Sequence, residues 1–534
     1  MKTADHGMLN DYPRATALLL FLIALTLRFY HLPDNPAGFF RDEADKGYTS
    51  FCLLTNGQDQ TGRSWPLFVR SLNVATSGFY QYADLPFVAA LGLTELAVRL
   101  PACLAGAGSA LAAYALAARL WNPAAGAWAG LFVALTPWSL LLSRWANQSI
   151  FLTLWIPLGL FFFLRQKDRP VSGPGHAALS ALFFLLALYT YAPAQLYVPV
   201  LVVLLWLVSL GRETLAPVHR GKFIRSWFVF IAVFLLGALP LLYHILYQPV
   251  ESGARFSAIS IFDGRPLASV AFEWLKNYFL HFSPGFLFFH GDNNLRHNTA
   301  VFGQLHWYLL PLLVAGFLRI ITRRSRVDRI LLVWLLCFPI AAACTRESIP
   351  HALRSIFAVP VFQVIAAYGL VSLGEWKDRM EQWTSRDLVK ACRYLWFAAV
   401  ILCPSVYLYD LYVRYPVYSA VDWEYGYRDA VGWWREHHHE AGKAVVSGLA
   451  EYPYIFFLFY DAYPPEKWIQ EQKIEGVEFV PTGAPIHPYL QKTEHRVFYL
   501  LRAQELPAVQ PEKVIYTPAG EIIWKWAAWG RKGG

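Results

Sequence analysis

The chain has 534 residues, of which 56% are hydrophobic and only 16% are charged. Soluble domains carry about 25% charged residues, so this composition excludes an ordinary soluble protein and predicts an integral membrane protein. The net charge of +9 does not indicate nucleic-acid binding, because the basic residues gather in short links between apolar segments. Six cysteines show no metal-ligand spacing, so we interpret them as small core residues without disulfides.

The first apolar segment, Ala15–Leu27, is followed closely by Arg28 and by no clear small-residue cleavage site. We therefore expect a retained membrane anchor rather than a signal peptide. About eleven segments approach the roughly 20 apolar residues that a spanning helix needs. They cover approximately residues 14–31, 99–120, 124–144, 148–165, 176–194, 195–210, 227–247, 305–322, 329–345, 354–373 and 394–413.

A strongly polar stretch follows the first segment, with four charges in the five residues from Arg41 to Asp45. Apolar side chains recur behind it at helical spacing, which predicts a short amphipathic helix that ends at Asn56-Gly57. Asp42 and Glu43 then stand at the helix N-terminus, where the helix dipole favours carboxylates. Taken alone, Asp42 is interpreted as a helix cap, because Asp is a preferred N-cap residue.

Basic links predict the orientation of the chain in the membrane. They are Arg165–Arg169, Arg212–Arg225, Arg323–Arg326 and Lys377–Arg393, and they alternate with links poor in Lys and Arg. The positive-inside rule places them and the N-terminus in the cytoplasm. The opposite face then receives a first outer loop (32–98), a large outer loop (248–304), the short turn Thr345–Arg354 and everything after about Tyr415.

The pattern changes after about residue 415, where hydrophobicity falls. A helix is predicted over Asp422–Glu440, and its adjacent His437, His438 and His439 point in different directions, which favours a solvated surface over a metal site. Short β-rich runs follow at Ala444–Ser447, Ile455–Tyr460, Val477–Val480 and Val497–Leu501, with a hairpin formed by Lys513–Thr517 and Glu521–Trp526. We therefore predict a transmembrane module (1–414) and a small extracytoplasmic α/β domain (415–534).

Polar side chains are dense in the predicted outer loops. Arg, His and Asn are good donors to phosphate and sugar hydroxyls, and carboxylates can accept a proton from a hydroxyl. The candidate substrate-binding residues are Asp84, Arg255, Asp292, Asn293, Arg296, His297, His351 and Arg354. The alternatives are an Asx turn at Asp292 and structural hydrogen bonds at the two histidines. Arg99 is interpreted as an anchor at the level of the lipid headgroups, with phosphate binding as the alternative.

These residues together resemble the GT-C glycosyltransferases. The closer resemblance is to bacterial relatives of the protein O-mannosyltransferases and of the aminoarabinose transferases, which are like glycosyltransferase family 39. It rests on Phe40-Arg41-Asp42-Glu43-Ala44, Arg99-Leu100-Pro101, Tyr189-Thr190-Tyr191-Ala192, Gly291–Asn298 and Pro350-His351-Ala352-Leu353-Arg354.

The resemblance implies a polytopic GT-C-like enzyme of the bacterial cytoplasmic membrane that takes a sugar from a polyprenyl-phosphate carrier. It implies that Asp42 is the general base of an inverting transfer, supported by Glu43. Arginines 255, 296 and 354 and histidines 297 and 351 would then stabilise the departing phosphate. The acceptor, a glycan, lipid or protein, is not assigned.

One departure concerns metal binding. Aminoarabinose transferases carry a Glu-Lys-Pro that touches metal and lipid phosphate, whereas this chain has Ala83-Asp84-Leu85-Pro86. No metal ligand and no cofactor are therefore assigned, and a divalent ion is left open. The alternative function is a transporter or flippase of a lipid-linked sugar, which the placement of charges outside the spans disfavours. A non-catalytic membrane scaffold is a third alternative.

Overall fold

A computed structural model describes residues 13–72, 74–165, 173–210, 217–490, 496–505 and 510–529. The helices are α1 (Pro13–Phe29), α2 (Arg41–Asn56), α3 (Phe79–Leu91), α4 (Glu95–Leu120), α5 (Pro123–Leu135), α6 (Pro137–Leu142), α7 (Leu152–Arg165), α8 (Gly173–Thr190), α9 (Ala194–Ser209), α10 (Pro217–Tyr247), α11 (Pro249–Ile259), α12 (Leu267–Leu280), α13 (Leu310–Arg323), α14 (Arg326–Cys337), α15 (Ile340–Ala343), α16 (Val361–Trp383), α17 (Arg386–Tyr409), α18 (Tyr415–Tyr418), α19 (Tyr427–His437), α20 (Tyr454–Tyr460) and α21 (Pro465–Glu471). The strands are β1 (Phe68–Ser71), β2 (Val74–Ser77), β3 (Lys443–Val446), β4 (Val477–Phe479), β5 (Val497–Arg502), β6 (Pro511–Tyr516) and β7 (Ile522–Trp529).

Apolar helices confirm a mostly helical, multi-pass membrane protein. Within the described ranges, five helical segments are long and apolar enough to span a bilayer, namely Glu95–Leu120, Gln148–Arg165, Ile224–Tyr247, Ile356–Trp376 and Arg386–Tyr418. Shorter apolar helices cover Pro123–Leu135, Pro174–Thr190 and Ala194–Ser209. The number of eleven spans stays a prediction. The basic links Arg165–Arg169 and Arg212–Arg225 lie partly outside the described residues.

The chain divides into two compact units. The first contains residues 1–30, 102–143 and 147–410. In it Arg28, at the end of α1, is fully buried and donates to the carbonyl oxygens of Ala134 at 3.2 Å and Val133 at 3.3 Å, and to the Ser139 hydroxyl at 2.9 Å. Because the last carbonyls of α5 lack helical partners, they are suitable acceptors for a cation.

The second unit contains residues 31–101, 144–146 and 411–534, so it joins the predicted first outer loop to the C-terminal residues. Its larger sheet has the order β4-β3-β5-β7-β6. Strand β3 pairs in parallel with β4 and β5, whereas β7 pairs antiparallel with β5 and β6. The predicted mixed α/β character and the β6–β7 hairpin are therefore confirmed.

One predicted strand is wrong, because Ile455–Tyr460 lies in helix α20. Residues Ile455 to Phe459 are all buried. A short, uniformly apolar run fits a buried helix as well as a buried strand, so its period could not decide between them. Pro453 begins the helix as its N-cap residue.

Contacts within the second unit tie α2 to the C-terminal residues. The guanidinium of Arg41 pairs with Glu424 at 3.0 Å and with Glu451 at 2.6 Å. The Tyr48 hydroxyl donates to the Tyr463 carbonyl at 3.0 Å. The polar stretch at the start of α2 is thus built into the same folded unit as the mixed sheet.

Gly38, just before α2, packs closely against the backbone of Trp423 in the C-terminal residues. A Cβ atom on Gly38 would lie 2.0 Å from the carbonyl oxygen of Trp423. We predict that Gly38→Ala lowers the stability of the purified protein by about 1–3 kcal/mol, because backbone must move to admit the methyl group. A thermal unfolding scan measures the change.

Gly432 in α19 is the matched control, because no atom lies within 4 Å of its Cβ position. Gly432→Ala should leave the unfolding midpoint unchanged or raise it, since Ala favours a helix interior over Gly. Equal midpoints for the two variants would contradict the close packing at Gly38.

Candidate active site

The second unit contains a buried ion pair between the start of α2 and the start of α4. The Glu43 carboxylate accepts hydrogen bonds from Nε and Nη2 of Arg99, each at 3.0 Å, and both side chains have no exposed area. Glu43 also accepts hydrogen bonds from the backbone N–H groups of Ala146 at 2.8 Å and Phe40 at 3.1 Å. Four donors therefore hold this carboxylate, which fixes the first turn of α2.

Arg99 makes further contacts with the backbone that precedes α2. Its guanidinium donates to the carbonyl oxygens of Leu32, Pro33 and Pro36, each at 3.1 Å, and to that of Gly38. The interpretation of Arg99 as a headgroup-level anchor is therefore wrong, because its side chain is buried and its donors bind protein oxygens. Arg99 is the centre around which residues 32–38 are ordered.

Asp42 differs from its neighbour in exposure and in partners. The helix cap is Phe40, not Asp42, so the interpretation of Asp42 as an N-cap is also wrong. Asp42 occupies the second helical position and is half-buried. Among the described residues, its carboxylate has no hydrogen-bond or ion-pair partner. It therefore has both access to solvent and free acceptor positions, as a general base requires.

A buried lysine provides positive charge one helical turn after Asp42. The Lys46 ammonium donates to the Ala146 carbonyl at 2.8 Å and lies 5.5 Å from the ring centre of Tyr80. Burial lowers the pKa of Lys46, and the charge of Asp42 is the strongest influence that raises it. Sequence reasoning did not single out Lys46, although its spacing of four residues from Asp42 on a helix would have indicated it.

Two more carboxylates lie within this unit and are buried. Asp45 accepts hydrogen bonds from Gln60 at 2.6 Å and from Ser71, yet burial raises its pKa to about 6. Burial also raises the pKa of Asp84 well above its ordinary value, and Lys46 offsets this only in part. Of the acidic residues on the first turns of α2, Asp42 is thus the accessible one.

The first unit brings together three other candidate residues. The Asp292 carboxylate contacts His297 Nδ1 at 2.9 Å and lies 3.6 Å from His351 Nδ1. It also accepts the Ala352 N–H at 2.7 Å and the Asn294 N–H at 2.9 Å. The bond from Asn294 is an Asx turn, as the structural alternative for Asp292 predicted.

The remaining candidate cations have different environments. Arg354 is 5% exposed and pairs with Glu347 at 2.7 Å, so a phosphate would have to compete with that carboxylate. Arg296 is half-buried and its backbone N–H and Nε contact the Asn294 side chain at 3.0 and 3.3 Å, while Asn293 is exposed. The side chain of Arg255 lies outside the described part of the structure.

Comparison with known proteins agrees with this architecture. Residues 85–244 match the family model of dolichyl-phosphate-mannose-protein mannosyltransferases. The chain is also similar to the structure of ArnT from Cupriavidus metallidurans bound to undecaprenyl phosphate, with a TM-score of 0.53 and 14% identity over 97% of each chain.

A second similar structure is the oligosaccharyltransferase AglB from Archaeoglobus fulgidus, in complex with an inhibitory peptide and a dolichol-phosphate. Its TM-score is 0.53 at 13% identity, and the alignment covers 85% of this chain and 64% of AglB. A comparison with curated protein sequences finds no match.

The match over residues 85–244 and the fold together show that the chain resembles the membrane glycosyltransferases of the GT-C class. The resemblance inferred from the sequence motifs is therefore confirmed.

The ion pair at the start of α2 gives a stability prediction. Arg99→Met should reduce the free energy of unfolding by about 3–5 kcal/mol, because it leaves the Glu43 carboxylate buried without its cation. Chemical unfolding followed by tryptophan fluorescence measures this loss. Lys467→Met is the control, because its pair with Glu475 is on the surface, and it should barely shift the transition. A small effect of Arg99→Met would show that the pair does not organise the unit.

Proposed function

We propose that this protein transfers a sugar from a polyprenyl-phosphate donor to an acceptor hydroxyl, with inversion at the anomeric carbon and with Asp42 as the general base. The observation that carries the proposal is the contrast within α2: Glu43 is buried and held by four donors, whereas Asp42 is half-buried and has no partner in the described structure.

The chemistry follows from these environments. The Asp42 carboxylate would take the proton of the acceptor hydroxyl while the hydroxyl oxygen attacks the anomeric carbon. The bond to the phosphate oxygen then breaks, and the polyprenyl phosphate leaves with the electron pair. Burial lowers the pKa of Lys46, and the charge of Asp42, one helical turn before it, raises that pKa in part.

The leaving phosphate gains charge, so cations should stabilise it. The resemblance assigns this role to Arg255, Arg296 and Arg354, with His297 and His351 as further donors. Asp84, Asp292 and Asn293 remain candidates for binding the sugar. Glu43 is assigned a positioning role, because its oxygens are already bound by Arg99 and by backbone N–H groups. The acceptor class is left unassigned.

The decisive variant is Asp42→Asn, which keeps the size of the side chain and removes the base. We expect transfer to fall by about 10²–10⁴-fold without a change in thermal stability, as for loss of a general base. Membranes that contain the protein are supplied with polyprenyl-phosphate sugars, and mass spectrometry measures the release of polyprenyl phosphate.

Asp34→Asn is a matched control, because Asp34 precedes α2 in the same unit and forms an exposed pair with Arg428. It should retain transfer. Full activity of Asp42→Asn would refute Asp42 as the base. Movement of the lipid-linked sugar across reconstituted vesicles without any transfer would favour a flippase instead.

The proposed location is the bacterial cytoplasmic membrane, with the N-terminus inside and residues 415–534 outside. The substitutions His437→Cys and Arg324→Cys test this orientation in a background that lacks Cys392 and Cys403, the two native cysteines that are not buried. A membrane-impermeant maleimide should label position 437 in intact cells and leave position 324 unmodified. The reverse pattern would invert the topology.

A further inference from the structure

An apolar groove lies in the first unit, where α4 and α7 end and α14 begins. Its volume is about 230 Å³, and the side chains that line it are Leu, Ile, Val and Trp. The inner part is formed by Leu116, Leu160, Leu331 and Trp334, which are buried. Trp334 is seven residues from Val327, another lining residue, so at 1.5 Å per residue the groove follows α14 for about 10 Å. A narrow apolar chain fits this shape better than a compact polar ligand.

The mouth of the groove lies beside arginines from three helices. Three of the lining residues, Leu120, Leu164 and Val327, are only half-buried, and they stand at the ends of α4, α7 and α14 that meet here. Each of them has an arginine as its neighbour in the chain, namely Arg119, Arg165 and Arg326. The open end of the apolar groove is therefore surrounded by positive charge.

Among the described residues, no carboxylate forms an ion pair with Arg326 or Arg329 on the first turn of α14. Arg326 Nη2 donates to the Ser209 hydroxyl at 2.7 Å, while its Nε has no partner in the described structure. Burial and the charge of Arg329 lower the pKa of Arg326. Asp328 is buried and accepts the Ser325 N–H at 2.7 Å, so its carboxylate caps the helix. Two neighbouring guanidinium groups without a counter-ion favour a shared anion such as a phosphate.

We propose that this groove binds an anionic phospholipid, with one acyl chain along α14 and the headgroup phosphate at Arg326 and Arg329. Such a lipid fills the apolar groove and neutralises its mouth at the same time. A free phosphate would leave the groove empty, and a zwitterionic lipid would bring a second cation to the arginines. Basic pockets between spanning helices bind anionic headgroups in this way. The basic link Arg323–Arg326 predicts that this end of the unit faces the cytoplasm, where membrane lipids are anionic.

The test uses the full chain, purified in detergent and freed of bound lipid. Native mass spectrometry measures the binding of phosphatidylglycerol and of phosphatidylcholine with the same acyl chains. We expect one phosphatidylglycerol molecule to bind more tightly than phosphatidylcholine. Arg326→Gln and Arg329→Gln together should weaken the binding of phosphatidylglycerol by about 30-fold, or about fivefold for each arginine.

The matched control is the double variant Arg386→Gln and Arg393→Gln. Both arginines are exposed on α17, at the same predicted membrane face, and α17 contributes no residue to the groove. This variant removes the same charge and should bind phosphatidylglycerol as the unaltered protein does. Equal weakening by the two double variants, or equal binding of the two lipids, would refute a specific site.

A further variant tests the acyl-chain part of the site with all arginines intact. Val327→Trp places a large side chain at the mouth of the groove and should weaken phosphatidylglycerol binding by about 10-fold, the effect of removing about two methylene groups from apolar contact. Unchanged binding by this variant would refute the groove as the lipid site. Displacement of the lipid by an equal concentration of inorganic phosphate would also refute it, because the charges alone would then account for binding.

Discussion

The organisation of the first loop depends on the buried pair between Glu43 and Arg99. Arg99 reaches the carbonyl oxygens of residues 32, 33, 36 and 38, and Glu43 holds two backbone N–H groups as well as the guanidinium. Burying two charges costs several kcal/mol per ion unless every donor and acceptor is satisfied, and here they are. The pair is therefore better understood as fixing one conformation of the loop than as adding to stability.

This arrangement gives two adjacent carboxylates different chemistry. Successive residues on an α-helix point about 100° apart, so Glu43 faces Arg99 while Asp42 does not. The pair also fixes the first turn of α2, which sets the direction of the Asp42 side chain. Lys46, one turn further, donates to the Ala146 carbonyl, and the charge of Asp42 raises its pKa against the effect of burial. Glu43, which the sequence analysis grouped with Asp42, thus has a carboxylate that is already held by four donors.

Local patterns predicted much of the second unit. Periodicity and Asn56-Gly57 indicated α2, turn residues indicated the β6–β7 hairpin, and the change in composition indicated a mixed α/β region. Two features depend on contacts between distant residues and left no local pattern: the burial of Arg99 and the helical form of Ile455–Tyr460. At the candidate site, the cluster at Asp292, His297 and His351 could be proposed from residue types, whereas the pairing of Arg354 with Glu347 could not.

The contacts between α2 and the C-terminal residues also have a consequence for biosynthesis. Arg41 and its partner Glu424 are 383 residues apart, and Tyr48 lies 415 residues from Tyr463. At about 5–20 residues per second, a ribosome needs roughly 20–80 s to travel from the first partner to the second. During that interval the Asp42 segment exists without the residues that complete its unit. The loop that carries the proposed base is therefore synthesised early, but its contacts are completed only when the C-terminal residues have been made. A chain released prematurely would lack these contacts.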